Sequence, residues 1–167
     1  MNILIVGAGG RENTLAWKLK QSPLCQNLFI APGNAGTANF GTNLNIAITD
    51  FENLAAACIQ SKVDMVLVGP EEPLVKGIFD FFKSNPATNH IHIIGPSAEA
   101  SQLEGSKAYA KAFMQRHSIP TAAYNEFTAL NFDEGLSYIQ NHSLPIVLKA
   151  DGLAAGKGVL ICQTHIE

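Results

Sequence analysis

The sequence is short of positive charge, of paired cysteines and of long apolar runs, and each shortage argues against a class of function. Eleven Lys and Arg against fourteen Asp and Glu leave a net charge of -3, and only 15% of residues are charged. No basic stripe results that could neutralise a nucleic-acid backbone, so no nucleic-acid partner is expected. Cys25, Cys58 and Cys162 are odd in number, far apart and without a Cys-x-x-Cys pair. That pattern fits reduced, buried thiols of a cytoplasmic protein better than a disulfide framework or a zinc site. No apolar segment approaches the length of a membrane span and no secretion signal opens the chain, so no membrane partner is expected either. The five histidines are scattered and read as solvated loop-edge residues rather than metal ligands.

What is present is a globular composition, 47% hydrophobic over 167 residues, enough for one full domain and part of a second. The organising stretch is Asn2 to Glu12. Ile3 to Val6 is a short, wholly apolar run, which predicts a buried central strand of a parallel sheet. It opens into Gly7, Gly9 and Gly10, and a helical pattern with Leu15, Ala16 and Leu19 on one face follows, ending at Ser22-Pro23. Such a turn brings backbone close to a ligand, and the helix start offers free N–H groups to an anion. The dinucleotide fingerprint is not met, because Glu12 stands where the last glycine of Gly-x-Gly-x-x-Gly belongs. The acidic residue expected about twenty positions on is also missing, since Ile30-Ala31-Pro32-Gly33 occupies that place. A nicotinamide cofactor is therefore disfavoured, while Arg11 beside the glycines suits a small phosphorylated ligand. A glycine turn that only packs helix on strand would use the same residues.

Further along, strands are expected over 27–31, 44–48, 65–68 and 91–94. Helices are expected after a capping box at Thr49 to Glu52, with Leu54, Ala55, Cys58 and Ile59 inward, and over 76–82. This alternation predicts a doubly wound α/β domain to about residue 96. Two loops fall at the same sheet edge as the glycine turn: Pro32 to Ala38, readable as a ligand-approach loop or a plain turn, and Gly69 to Leu74. In the latter, Glu71 and Glu72 could accept sugar hydroxyls or simply favour a helix N-terminus. Residues 98–117 read as helix broken at Gly105-Ser106, with Ser106 as a cap; 122–128 reads as a strand and 133–141 as a helix with Leu136 and Ile139 inward.

A second chemical stretch runs from Pro145 to Cys162. Two β-rich runs flank a loop holding Gly152, Gly156 and Gly158, which predicts a hairpin lid. The Walker spacing fails, because the first glycine sits four places before Gly156 and Gly158 stands where a hydroxyl should follow Lys157. Lys149 shares a strand face with Val147. It reads as a phosphate-reaching lysine or as a snorkelling surface one.

Taken together, Gly-Gly-Arg-Glu at 9–12, Ala-Pro-Gly-Asn-Ala-Gly-Thr at 31–37, Val-Gly-Pro-Glu at 68–71, Gln-Leu-Glu-Gly-Ser-Lys at 102–107 and Lys-Ala-Asp-Gly-Leu-Ala-Ala-Gly-Lys-Gly at 149–158 resemble the phosphoribosylamine-glycine ligase family of the ATP-grasp superfamily. The resemblance implies ATP-dependent joining of glycine to 5-phosphoribosylamine, with Mg2+ or Mn2+, in purine biosynthesis. It implies an amino-terminal domain over 1–100, a helical entry over 101–121 and part of a lid subdomain over 122–167. Implied substrate-binding residues are Gly9, Gly10, Arg11, Glu12, Asn34, Gly36, Pro70 and Glu71. Implied ATP-binding residues are Lys107, Lys149, Asp151, Gly152, Gly156, Lys157 and Gly158. The family's metal-binding carboxylates lie past Glu167, so the resemblance implies a truncated chain, inactive alone, with no metal ligands and no complete catalytic set. Asn13 departs from the family, which usually has histidine there and could titrate. A phosphosugar- or nucleotide-binding module without catalysis is the alternative.

Overall fold

Strand β1, Asn2–Gly7, is buried from Ile3 onward, and the sheet is built outward from it. The structure is a computed structural model that describes residues 1–154 and 156–166. It divides into two compact units, Met1–Gln102 and Leu103–Glu167.

In the first unit the elements run β1, α1 (Gly10–Lys20), β2 (Asn27–Pro32), β3 (Thr42–Asn43), α2 (Phe51–Gln60), β4 (Met65–Val68), α3 (Glu71–Val75), α4 (Ile78–Ser84) and β5 (His92–Ile94). The sheet has the order β3-β2-β1-β4-β5, and every pairing in it is parallel. Alternation along β1 separates two cores. Leu4 and Val6 join Val66, Leu54, Ala55, Cys58, Ile78 and Phe82 on one face. Ile3 and Ile5 join Ile30, Leu28 and Ala16 on the other, with Leu15 and Leu19 packed against them. Helices thus cover both faces, as expected of a doubly wound sheet. Burial pushes the Cys58 thiol up to about 12, which makes it an inert packing residue.

Local differences from expectation have physical causes. The third strand is only Thr42–Asn43, where 44–48 was expected. Leu44, Ile46 and Ile48 do alternate inward against the core. The ladder nonetheless stops after Leu44 N–H donates to the Ile30 carbonyl, because β2 then runs into Pro32, which has no N–H to offer. Helix α2 is capped by Asp50, whose side chain accepts from Asn53 N–H, not by Thr49; Ile59 is half exposed rather than inward. The helix expected over 76–82 starts only at Ile78, because Gly77, whose φ of +89° suits glycine alone at low cost, separates α4 from α3.

The second unit contains α6 (Lys107–Arg116), α7 (Phe132–Asn141) and the antiparallel pair β6 (Ile146–Lys149) and β7 (Val159–Cys162). Helix α5 (Ala98–Gly105) precedes α6, and Ser106 caps α6 by accepting from Tyr109 N–H. Residues 122–128 form no strand. They are held by side chains instead of a ladder: Lys111 Nζ donates to Thr121 Oγ1 and the Ala122 carbonyl at 2.7 and 2.8 Å, and Phe127 fills the space beside Gly135. In α7 Gly135 is the buried residue and Ile139 is half-buried, while Leu136 is 43% exposed.

Gly77→Ala should destabilise the first unit by about 1–2 kcal/mol, the cost of a left-handed alanine. Urea unfolding should show a lower midpoint with an unchanged slope.

Candidate functional site

The order β3-β2-β1-β4-β5 places the reversal of the sheet between β1 and β4, and the crevice outside the carboxyl ends of such strands is where ligands collect. Gly9 is the N-cap of α1 and Gly10 its first residue. Glu12, 5% exposed, turns back so that its carboxylate accepts from Gly9 N–H at 2.6 Å. The same carboxylate fills the space between the turn and β4: a Cβ on Gly7 would lie 2.6 Å from Glu12 Cδ, and one on Gly69 would fall on Glu12 Oε1. Glu12 therefore braces the crevice from inside, with one carboxylate oxygen bonded to backbone.

Arg11 reaches across the reversal point. Its guanidinium donates to the Gly69 carbonyl and, through both terminal nitrogens at 3.2 Å, to Glu71 Oε1. Pro70 is the N-cap of α3 and Glu71 its first residue. The hydrogen bond from its own backbone N–H holds the Glu71 carboxyl below the usual carboxylate range; burial pushes it up, and Arg11 lowers it again by hydrogen bond and charge. Glu72 is occupied separately by Lys76 at 2.7 Å.

The Pro32 to Ala38 loop closes against the same turn. Asn34 Nδ2 donates to the Ala8 carbonyl at 2.8 Å, while its Oδ1 accepts from Gly36 and Thr37 N–H at 2.7 and 3.0 Å. Both ends of the Asn34 amide are thus spent on loop geometry. Gly36 leaves room for Asn13: a Cβ there would lie 2.5 Å from Asn13 Oδ1, a buried atom with no hydrogen-bond partner among the described residues. Two contributors escaped the sequence reading, Gly69 as a close-approach position and the buried Thr37, bonded to Asn34 and Asn43. Both depend on contacts between separate loops, and only the Val-Gly-Pro-Glu and Asn-Ala-Gly-Thr strings hinted at them.

The second unit carries its own arrangement. Asp151, just past β6, accepts from Lys107 N–H at 2.6 Å, Ala108 N–H at 3.3 Å and Ser106 Oγ at 3.1 Å. Lys107 Nζ answers by donating to the Gly152 carbonyl at 2.9 Å. The hairpin base is thereby stapled to the first turn of α6, and Asp151 and Lys107 hold protein rather than presenting free groups. Burial pushes the Asp151 carboxyl up, but the bonds from Ala108, Gly152, Lys107 and Ser106 together outweigh it and set it below the usual range. Lys149 is exposed on the same face as Val147. The hairpin continues through Ala150 N–H to the Gly158 carbonyl, and Lys157 N–H closes a turn on the Ala154 carbonyl. Nothing lies within 4 Å of where a Cβ would stand on Gly152 or Gly156, so backbone there is open to an approaching anion. Ala155 lies outside the described residues.

A family model described as phosphoribosylglycinamide synthetase, N domain, matches residues 1–104, and one described as the ATP-grasp (A) domain of the same synthetase matches 105–167. The chain belongs to the phosphoribosylglycinamide synthetase family. Phosphoribosylamine-glycine ligases from Escherichia coli O157:H7 and Pasteurella multocida are 51% and 50% identical over 169 residues, covering all of this chain and 38% of theirs. The chain therefore spans little over a third of these synthetase relatives. The crystal structure of the Thermotoga maritima phosphoribosylamine-glycine ligase superposes with a TM-score of 0.72 at 30% identity, over 99% of this chain and 37% of that one. A biotin carboxylase domain from Hydrogenobacter thermophilus, solved with MgADP, ADP and bicarbonate, shares the fold at TM-score 0.73 and 16% identity. No described helix is long and apolar enough to cross a membrane.

Asp151→Ala should cost the second unit about 0.5–2 kcal/mol, as loss of a helix cap does. Because the folded carboxyl lies below its ordinary value, its contribution is complete above about pH 4 and is lost as pH falls through the folded value. The protection of the Lys107 and Ala108 amides, taken relative to the intrinsic exchange rate at each pH, should fall in the variant at neutral pH, and in the parent only under acid.

Proposed function

We propose that this chain is the amino-terminal portion of a ligase that joins glycine to 5-phosphoribosylamine at the expense of ATP. The observation that carries the proposal is the Gly9-Gly10-Arg11 turn at the reversal point of a parallel sheet, in a chain whose two parts match the two domains of one synthetase family. The first N–H groups of a helix and a guanidinium belong to that one turn, and both suit a sugar 5-phosphate. Glu71 is the carboxylate at that edge available to ribose hydroxyls. Asn34 acts through the loop it holds, and Glu12 by bracing the turn.

In the second unit the exposed Lys149 and the open backbone of Gly152 and Gly156 fit a polyphosphate. Lys157 and Gly158 complete the loop, and Lys107 and Asp151 fix its base. Among the described residues no group of three or more His, Cys, Asp or Glu could hold a metal, so no step is assigned to a metal here. When bound, Mg2+ or Mn2+ would neutralise phosphate charge.

In the proposed reaction a glycine carboxylate oxygen attacks the γ-phosphorus, releasing ADP and forming glycyl phosphate. The amine of phosphoribosylamine then attacks the acyl carbon, phosphate departs, and the nitrogen loses a proton to give glycinamide ribonucleotide. Neither step needs a protein nucleophile. Positioning dominates, because aligned reactants reach effective molarities of ~10⁵–10⁸ M. A closing glycine hairpin serves the same end by keeping water from the acyl phosphate.

Glycinamide ribonucleotide at a hundred times its dissociation constant should stabilise this chain by about 2.7 kcal/mol in thermal unfolding, whereas NAD should not. Arg11→Ala should remove most of that gain while leaving unliganded folding intact; an undiminished gain would sink the assignment. Residues 1–167 alone should release no glycine-dependent ADP.

A further inference from the structure

Glu71 occupies Arg11 in a way that bears on how a phosphate would enter. Both terminal nitrogens of the guanidinium converge on the single oxygen Glu71 Oε1 at 3.2 Å, and the Gly69 carbonyl takes a further N–H. Neighbouring carboxylates are otherwise engaged: Glu12 is buried on Gly9 N–H, and Glu72 is paired with Lys76. The Arg11 and Glu71 side chains are 60% and 45% exposed, so their pairing is readily exchanged. A phosphate monoester brings more charge and more acceptor oxygens than one carboxylate, and it suits the forked guanidinium better. Its arrival would also repel Glu71.

We propose that Glu71 is a stand-in anion that holds Arg11 in position across the β1–β4 crevice, and that an entering phosphate displaces it. The exchange frees the Glu71 carboxylate for sugar hydroxyls at the moment the phosphate is bound. Glu71 is then a specificity-determining residue: it admits ligands that bring both a phosphate to replace it and hydroxyls to receive it. This inference rests on the assignment of Arg11 to the phosphate.

Inorganic phosphate separates the two halves of the exchange, because it replaces the carboxylate but offers no sugar. In Glu71→Gln the anion no longer competes, and phosphate affinity, measured by calorimetry or by the amide shifts of Gly9 to Arg11, should rise by up to about five-fold, the equivalent of ~1 kcal/mol for an exposed pair. Glycinamide ribonucleotide should gain less than inorganic phosphate does, since a neutral amide is a weaker acceptor for its hydroxyls than a carboxylate. Glu72→Gln removes the same charge from the same helical turn, and should leave phosphate affinity within two-fold of the parent. Matched unfolding midpoints keep the comparison on folded protein. Unchanged phosphate affinity in Glu71→Gln, or an equal rise in Glu72→Gln, overturns the exchange while Arg11→Ala still weakens phosphate. Unweakened phosphate binding in Arg11→Ala overturns the phosphate assignment itself.

Discussion

The ligand edge of the first unit depends on one buried carboxylate. Glu12 leaves the first turn of α1, caps Gly9 N–H and fills the volume that side chains at Gly7 and Gly69 would otherwise claim. Because Gly69 N–H also donates to the Val6 carbonyl, the ends of β1 and β4 and the start of α1 are locked together at the point where the sheet reverses. Arg11 is aimed across the crevice because its neighbour in sequence is anchored beneath it. Burying a carboxylate is costly unless it is hydrogen-bonded, and here the helix start supplies both the bond and a favourable partial charge.

The second unit uses the same chemistry for a different end. Asp151 serves the first turn of α6 from forty-four residues downstream of Lys107, and Lys107 returns a bond to Gly152. The hairpin is tied down at its base and not at its tip. The staple holds the base, while the positions a Cβ would take on Gly152 and Gly156 face open space.

Much of the first unit was legible from local pattern. Ile3 to Val6 announced a buried central strand, and the alternation of short apolar runs with helical faces announced a doubly wound sheet. Ser106 as a cap was readable because a cap is a local device. Long-range closeness was not. A glutamate in a glycine turn gives no sign that Gly69, fifty-seven residues on, will close over it. The partners of Asn34 and Asp151 were hidden in the same way, being set by the fold. The strands placed at 44–48 and 122–128 failed because alternation reports which side chains turn inward, while a strand also needs a neighbour able to continue the ladder.

The two-stranded pair in the second unit has a bearing on how the polypeptide meets its own copies. In β7, Val159, Leu160 and Ile161 are 42%, 63% and 62% exposed, and the run carries no charge or proline. Each member of a two-stranded pair leaves one side of its backbone without a partner in that sheet, and uncharged, β-branched edges of this kind recruit other chains. Pairing of that kind is a meeting of two molecules, so it grows steeply with concentration, and the state of this polypeptide in solution depends on how much of it is there.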